Sequence, residues 1–148
     1  MNGENVITSV VTSPECVYYN CIAWAAKEDI RWWEPDIMGY YYWPEEIPRR
    51  YTVDAYMMAY GTLGYVVCKN EILEEGFEKI ALYADSNKRP KHAARQLPDG
   101  NWTSKLGKSF DVRHEFIDKW SEIICRPDNI RFNVSSYGTI EAILKRPV

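Results

Sequence analysis

A chain of 148 residues, 46% hydrophobic and 26% charged, is long enough to bury a core of its own and too apolar for extensive disorder. A net charge of −3 without any long Lys/Arg tract excludes the electrostatic footprint of a nucleic-acid binder. No apolar run reaches bilayer length, and the opening MNGENVITSV lacks a basic region followed by an apolar one, so a cytoplasmic single domain over residues 1–148, with no membrane partner, is expected.

The first stretch, to about residue 18, carries Val6, Val10 and Val11 before a Ser13-Pro14 break and reads as an arm or short strand. Apolar residues at 22, 25 and 26 then predict a short helix with Asn20 as its N-cap and Cys21 at its first position. Residues 31–51 hold three prolines among Trp32, Trp33, Tyr40, Tyr41, Tyr42 and Trp43, a composition that fits an aromatic-walled loop and no regular element. Thr52 caps a second helix running to about Leu63, with Gly64 as its stop.

After Gly64 the period changes to two. Residues 65–68, 77–84 and 91–97 are strand candidates, Pro98-Asp99-Gly100 is a turn signal, and 101–106 is the return strand, stopped by Gly107. Val112, Phe116, Ile117, Trp120, Ile123 and Ile124 fall at helical spacing and predict a helix over 111–124. Residues 138–144 suit a strand or a short helix. Helix, loop, helix, antiparallel strands and helix make an α+β fold the expectation.

Four cysteines (Cys16, Cys21, Cys68 and Cys125) without a C-x-x-C pair, and two isolated histidines, argue for reduced thiols and against a metal site. The sharpest pairing is Cys21 at a helix start with His92 on a later strand. A thiol becomes a nucleophile as thiolate, which unpaired N–H groups and a nearby imidazole favour. The plainer alternative is that Cys21 is a small buried hydrophobe and His92 an ordinary strand residue. His114 reads as a polar residue in the first turn of the 111–124 helix. Gln96, Asn101 and Ser104 could each orient an imidazole, and their spacing does not choose among them. Trp32, Trp33 and Trp43 could line a cleft or cover a small core.

The stretches 19–26 (YNCIAWAA), Trp32-Trp33-x-Pro35, Tyr42-Trp43-Pro44, 76–84 (GFEKIALYA) and 92–107 (HAARQLPDGNWTSKLG) resemble a bacterial family of uncharacterised single-domain proteins over residues 18–114. The layout of that family is similar to papain-like thiol hydrolases, including the NlpC/P60 and transglutaminase-like branches. This resemblance implies a papain-like α+β core, Cys21 as nucleophile, His92 as base and a third, orienting residue on the strand after His92. No Asp or Glu stands there, so the resemblance leaves Ser104 or Asn101 for the third place, either one a weaker orienter than a carboxylate, and Ser104 is the expected one. Asn20, Trp24, Trp32, Trp33, Trp43, Gln96 and Trp102 are the expected substrate-binding residues.

The expected activity is thus a cysteine hydrolase or acyl-transferase acting on an amide or isopeptide bond of a peptide or protein substrate, with no cofactor and no metal. The alternative is an inactive scaffold that binds a protein partner through the aromatic loop 32–43, since Trp, Tyr and Arg dominate binding hot spots.

Overall fold

The computed structural model describes residues 6–148. The two expected helices form as α1 (Cys21–Ala25) and α2 (Val53–Gly61). Asn20 and Thr52 cap them, each side-chain oxygen accepting the N–H of the residue three positions on. The strands are β1 (Val6–Val11), β2 (Val66–Cys68), β3 (Phe77–Ala84), β4 (Pro90–Gln96), β5 (Trp102–Lys105), β6 (Asp111–His114), β7 (Glu122–Arg126), β8 (Ile130–Asn133) and β9 (Thr139–Pro147).

All nine join one sheet in the order β2-β9-β3-β4-β5-β6-β1-β7-β8. It is mixed, because β1 runs antiparallel to β6 and parallel to β7. With helix confined to α1, α2 and the single 3-10 turn Ser135–Tyr137 among the described residues, the fold is mainly β. The α+β, papain-like expectation is therefore corrected. The helix expected over 111–124 does not form: Val112 and His114 belong to β6, while Ile123 and Cys125 are the buried residues of β7. Two short strands and the connection between them happen to place apolar residues at helical spacing, and strand pairing decides the outcome.

The sheet buries both faces. Ile80, Leu82, Ala93 and Leu144 pack under α1, α2 and the aromatic loop. Ala81, Tyr83, Ala94, Trp102, Val112 and Ile123 face a second core on the other side. Burial on both faces explains why β3 reads as the unbroken apolar run Ile80-Ala81-Leu82-Tyr83-Ala84. For β7 to share a core with β3, the sheet has to curl, and the 115–121 connection closes the curl through a bridge between Lys119 and Thr139. Loop 31–51 is irregular, as its prolines require. Two of its indoles point inward: Trp33 donates Nε1–H to Glu28 (2.7 Å) and Trp43 donates to the Pro48 carbonyl (3.0 Å).

Candidate functional site

The site lies where two neighbouring strands part. β4 and β5 are laddered only at Arg95↔Thr103 and Gln96↔Trp102. In the same register Ala93 would oppose Lys105, but no ladder forms there. The Leu97 N–H donates to the Asn101 carbonyl across this edge (2.7 Å), so the odd-numbered residues of β4 aim their N–H groups toward β5. The Ala93 N–H consequently opens into the gap, and there it is directed at the Cys21 sulfur. The N–H groups of Cys21 and Ile22 approach the same sulfur. Cys21 thus sits at the seam itself, beside the residue that follows His92.

Asn20 fixes that position. Its side chain caps α1 through Ala23 N–H (3.2 Å), accepts the Trp33 N–H (3.1 Å) and donates to the Trp33 carbonyl (2.7 Å). The Tyr60 hydroxyl, from α2, donates to the Ile22 carbonyl (2.8 Å).

His92, Ser104 and His114 lie on the second-core face of β4, β5 and β6, all buried. His92 Nε2 is 3.0 Å from Ser104 Oγ, Ser104 Oγ is 2.7 Å from His114 Nε2, and His114 Nδ1 is 2.6 Å from the Glu115 carbonyl. Tyr137 stacks flat on the His92 ring, centroids 4.2 Å apart and planes 3° apart, and Trp120 meets it edge-on at 4.8 Å. His92 Nδ1 is buried without a hydrogen-bond partner. In a folded interior such an atom needs a reason, since an unsatisfied polar group costs about 1–3 kcal/mol.

Burial governs the charge states. Desolvation pushes the Cys21 thiol up to about 11, against the nearby backbone N–H groups and Lys105, which lower it. The resting thiol is neutral at pH 7, not the thiolate that a helix start suggests, because a five-residue helix offers little field against that burial. Desolvation also holds His92 well below the ordinary histidine range, helped by His114, and brings His114 down to about 4.

An open cavity of about 380 Å³ lies over Cys21, with Asn20, Trp32, Trp33, Glu34, Tyr56 and Tyr137 among its walls and Arg89 and Lys91 at its rim. Glu34 is held there by Trp32 Nε1 (3.1 Å) and the Tyr51 hydroxyl (2.5 Å). Of the expected binding residues, Asn20, Trp32 and Trp33 line this cavity. The others do not. Trp43 packs under the loop in the first core and Trp102 is in the second. Gln96 is buried and donates to the Glu71 carbonyl (2.8 Å). Trp24 bonds Thr103 Oγ1 (2.9 Å) and lines a separate cavity with Arg95 and Asp111.

Sequence reasoning missed His114, because it had been assigned to a helix. The signal was available in the turn at Gly107: pairing Trp102 with His114 and Ser104 with Val112 puts all four on one face. Lys105 was missed as well. It is buried beneath the seam and donates to the carbonyls of Cys16 (2.6 Å) and Gly107 (2.7 Å). In Ser104-Lys105 neighbouring residues therefore brace opposite faces of one strand.

These features define a mainly-β domain with a cysteine at a strand seam and, on the second-core face of the same strands, a buried histidine–serine–histidine chain. The protein belongs to a domain family of unknown function (DUF7689), whose model matches residues 10–145. No curated protein and no solved structure matches it.

Proposed function

We propose that this protein is a cysteine hydrolase or acyl-transferase acting on an amide or isopeptide bond, with Cys21 as nucleophile, His92 as general base and Ser104 positioning His92. The observation that carries the reading is the unpartnered Nδ1 of His92, one residue from the N–H that holds the Cys21 sulfur. A buried imidazole nitrogen left without a partner, on the residue next to one whose N–H meets a thiol, is suited to taking that thiol's proton if the two come into reach.

Both groups are neutral at rest, so the proton moves during the attack. As Cys21 Sγ bonds to the substrate carbonyl carbon, its proton passes to His92 Nδ1, and Ser104 Oγ accepts from Nε2–H of the imidazolium that forms. The carbonyl oxygen, now negative, is met by backbone N–H groups at the start of α1. Collapse breaks the C–N bond, and His92 returns the proton to the leaving amine. Water, or an acceptor amine, then attacks the thioester with His92 again as base and releases Cys21 as the thiol.

The test is acylation by p-nitrophenyl acetate at pH 7.5, read as nitrophenol release and as the mass of one acetyl group on Cys21. Cys21→Ala should abolish the burst. His92→Ala should slow it by about 10²-fold or more, read at a temperature well below the melting point of each variant, because removing this buried ring also costs stability. Acetylation of Cys21 at the same rate in wild type and His92→Ala overturns the enzyme reading.

One observation favours the second reading, a protein-binding module. Loop 36–41 exposes Ile37, Met38 and Tyr40, yet its backbone is cinched: Asp36 accepts the N–H groups of Tyr40 (2.7 Å) and Tyr41 (3.1 Å), and Arg49 ties Asp36 to the Tyr41 carbonyl. A rigid loop presenting apolar side chains binds at low entropic cost. If acylation does not depend on His92, this reading stands in place of the first.

A further inference from the structure

The chain from His92 to the Glu115 carbonyl has one consistent arrangement of protons. A carbonyl oxygen only accepts, so His114 Nδ1, 2.6 Å from the Glu115 oxygen, carries a hydrogen. His114 is neutral near pH 7, its protonation held down to about 4 by burial, so its Nε2 is a bare acceptor. The Ser104 hydroxyl, 2.7 Å away, must give its single hydrogen to that nitrogen. Ser104 Oγ is then left only as an acceptor toward His92, and the 3.0 Å contact requires a hydrogen on His92 Nε2. The lone pair of His92 consequently lies on Nδ1, the atom without a partner.

We infer that His114 is a positioning residue that acts through Ser104 to hold His92 as the Nε2–H tautomer, keeping its Nδ1 free as a base. Without His114 the Ser104 hydroxyl is free to rotate and donate to His92 Nε2. That would favour the other tautomer, with a hydrogen on Nδ1, which cannot accept a proton from Cys21. The tautomer follows from the hydrogen-bond geometry with His114 neutral, while its catalytic consequence rests on the Cys21–His92 reading. The Glu115 carbonyl, a backbone group that side-chain substitution does not remove, makes an unusual anchor for such a chain. Elsewhere a carboxylate commonly takes this place, and an imidazole trapped in the wrong tautomer costs roughly 10⁴-fold.

The sequence contains only two histidines, so a protein labelled with ¹⁵N-histidine gives two ring systems in a long-range ¹H–¹⁵N correlation spectrum. At pH 7, His92 should display a protonated Nε2 and an unprotonated Nδ1, and His114 the reverse pattern. In His114→Phe the His92 pattern should shift toward protonated Nδ1, and Cys21 acetylation should slow at least tenfold. His114→Gln offers an amide oxygen to the Ser104 hydroxyl and should restore both readouts to near wild type. A protonated Nδ1 on His92 in the wild-type protein overturns the inference, and this measurement needs no variant to fold. So does a His92 pattern unchanged in a folded His114→Phe. If the tautomers are as expected but acetylation ignores His92, the enzymatic reading fails and the proton arrangement stands.

Discussion

The Asn20 amide serves as helix cap and loop tether at once, since its oxygen accepts from Ala23 and Trp33 while its nitrogen donates to the Trp33 carbonyl. Removing it orphans two buried backbone groups of Trp33 in addition to the cap. Asn20→Ala should therefore cost roughly 2–4 kcal/mol, about 1 from the cap and the remainder from the unsatisfied groups. Asn20→Ser, which keeps a capping oxygen but cannot reach Trp33 as an amide does, should fall between wild type and Asn20→Ala in urea denaturation. Equal losses below about 0.5 kcal/mol would show that the tether contributes nothing. Asn20 was legible as a cap because capping is a local rule. Its second role was not, because nothing local pairs residue 20 with residue 33. The same holds at the candidate site, where Cys21, His92 and Ser104 stand out by residue type and resemblance, whereas the seam that turns the Ala93 N–H toward Cys21 exists only because β4 and β5 part.

At the scale of elements, legibility followed the strength of local signals. β3 matched its expected bounds over 77–84, and α1, α2, β4 and β5 lay within a residue or two of theirs. Each carries a cap, a turn or an uninterrupted pattern. β6 and β7 were read together as a helix and β8 was not foreseen, since four- and five-residue strands are too short to declare a period before their neighbours pair with them. The 3-10 turn Ser135–Tyr137 was equally silent, yet it delivers the ring that covers His92. Gly138 sets that turn against the end of β3. It has φ +86°, and a Cβ there would lie 2.0 Å from the Ala84 carbonyl oxygen, while its own carbonyl accepts from Trp120 N–H (3.0 Å). Gly138→Ala therefore faces both a left-handed backbone and a backbone clash that no side-chain movement relieves. We expect a loss of about 3 kcal/mol or more, seen as a melting temperature lower by roughly 6 °C or more. An unchanged melt would mean that β9 can move away from β3 at little cost.

Across the whole molecule, curling the sheet around a polar chain ties stability to pH. His92 and His114 are both buried and neutral, with affinities for a proton held below the ordinary value of about 6.5 that an unfolded chain offers. Below pH 6.5 the unfolded state binds protons that the folded state refuses, so stability falls as pH falls. The full contribution is present above the unfolded value and drains away on acidification, for His114 until about pH 4. Carboxylates whose ion pairs or backbone hydrogen bonds lower their pKa, such as Glu28, Glu78 and Asp85, lose their contributions in the same direction, but only from about pH 4.5 downward. Asp111, raised by burial, works in the opposite sense. Between pH 7 and pH 5 the two histidines therefore set the direction, and together they should remove up to about 3–4 kcal/mol of unfolding free energy. Against a typical total of about 5–15 kcal/mol, that is a large share. Urea denaturation at pH 7, 6 and 5 measures it directly, with His114→Gln expected to show about half the wild-type decline. A flat profile over this range would mean that the folded protein protonates these rings as readily as the unfolded chain does, and the buried chain from His92 to Glu115 would then be open to water.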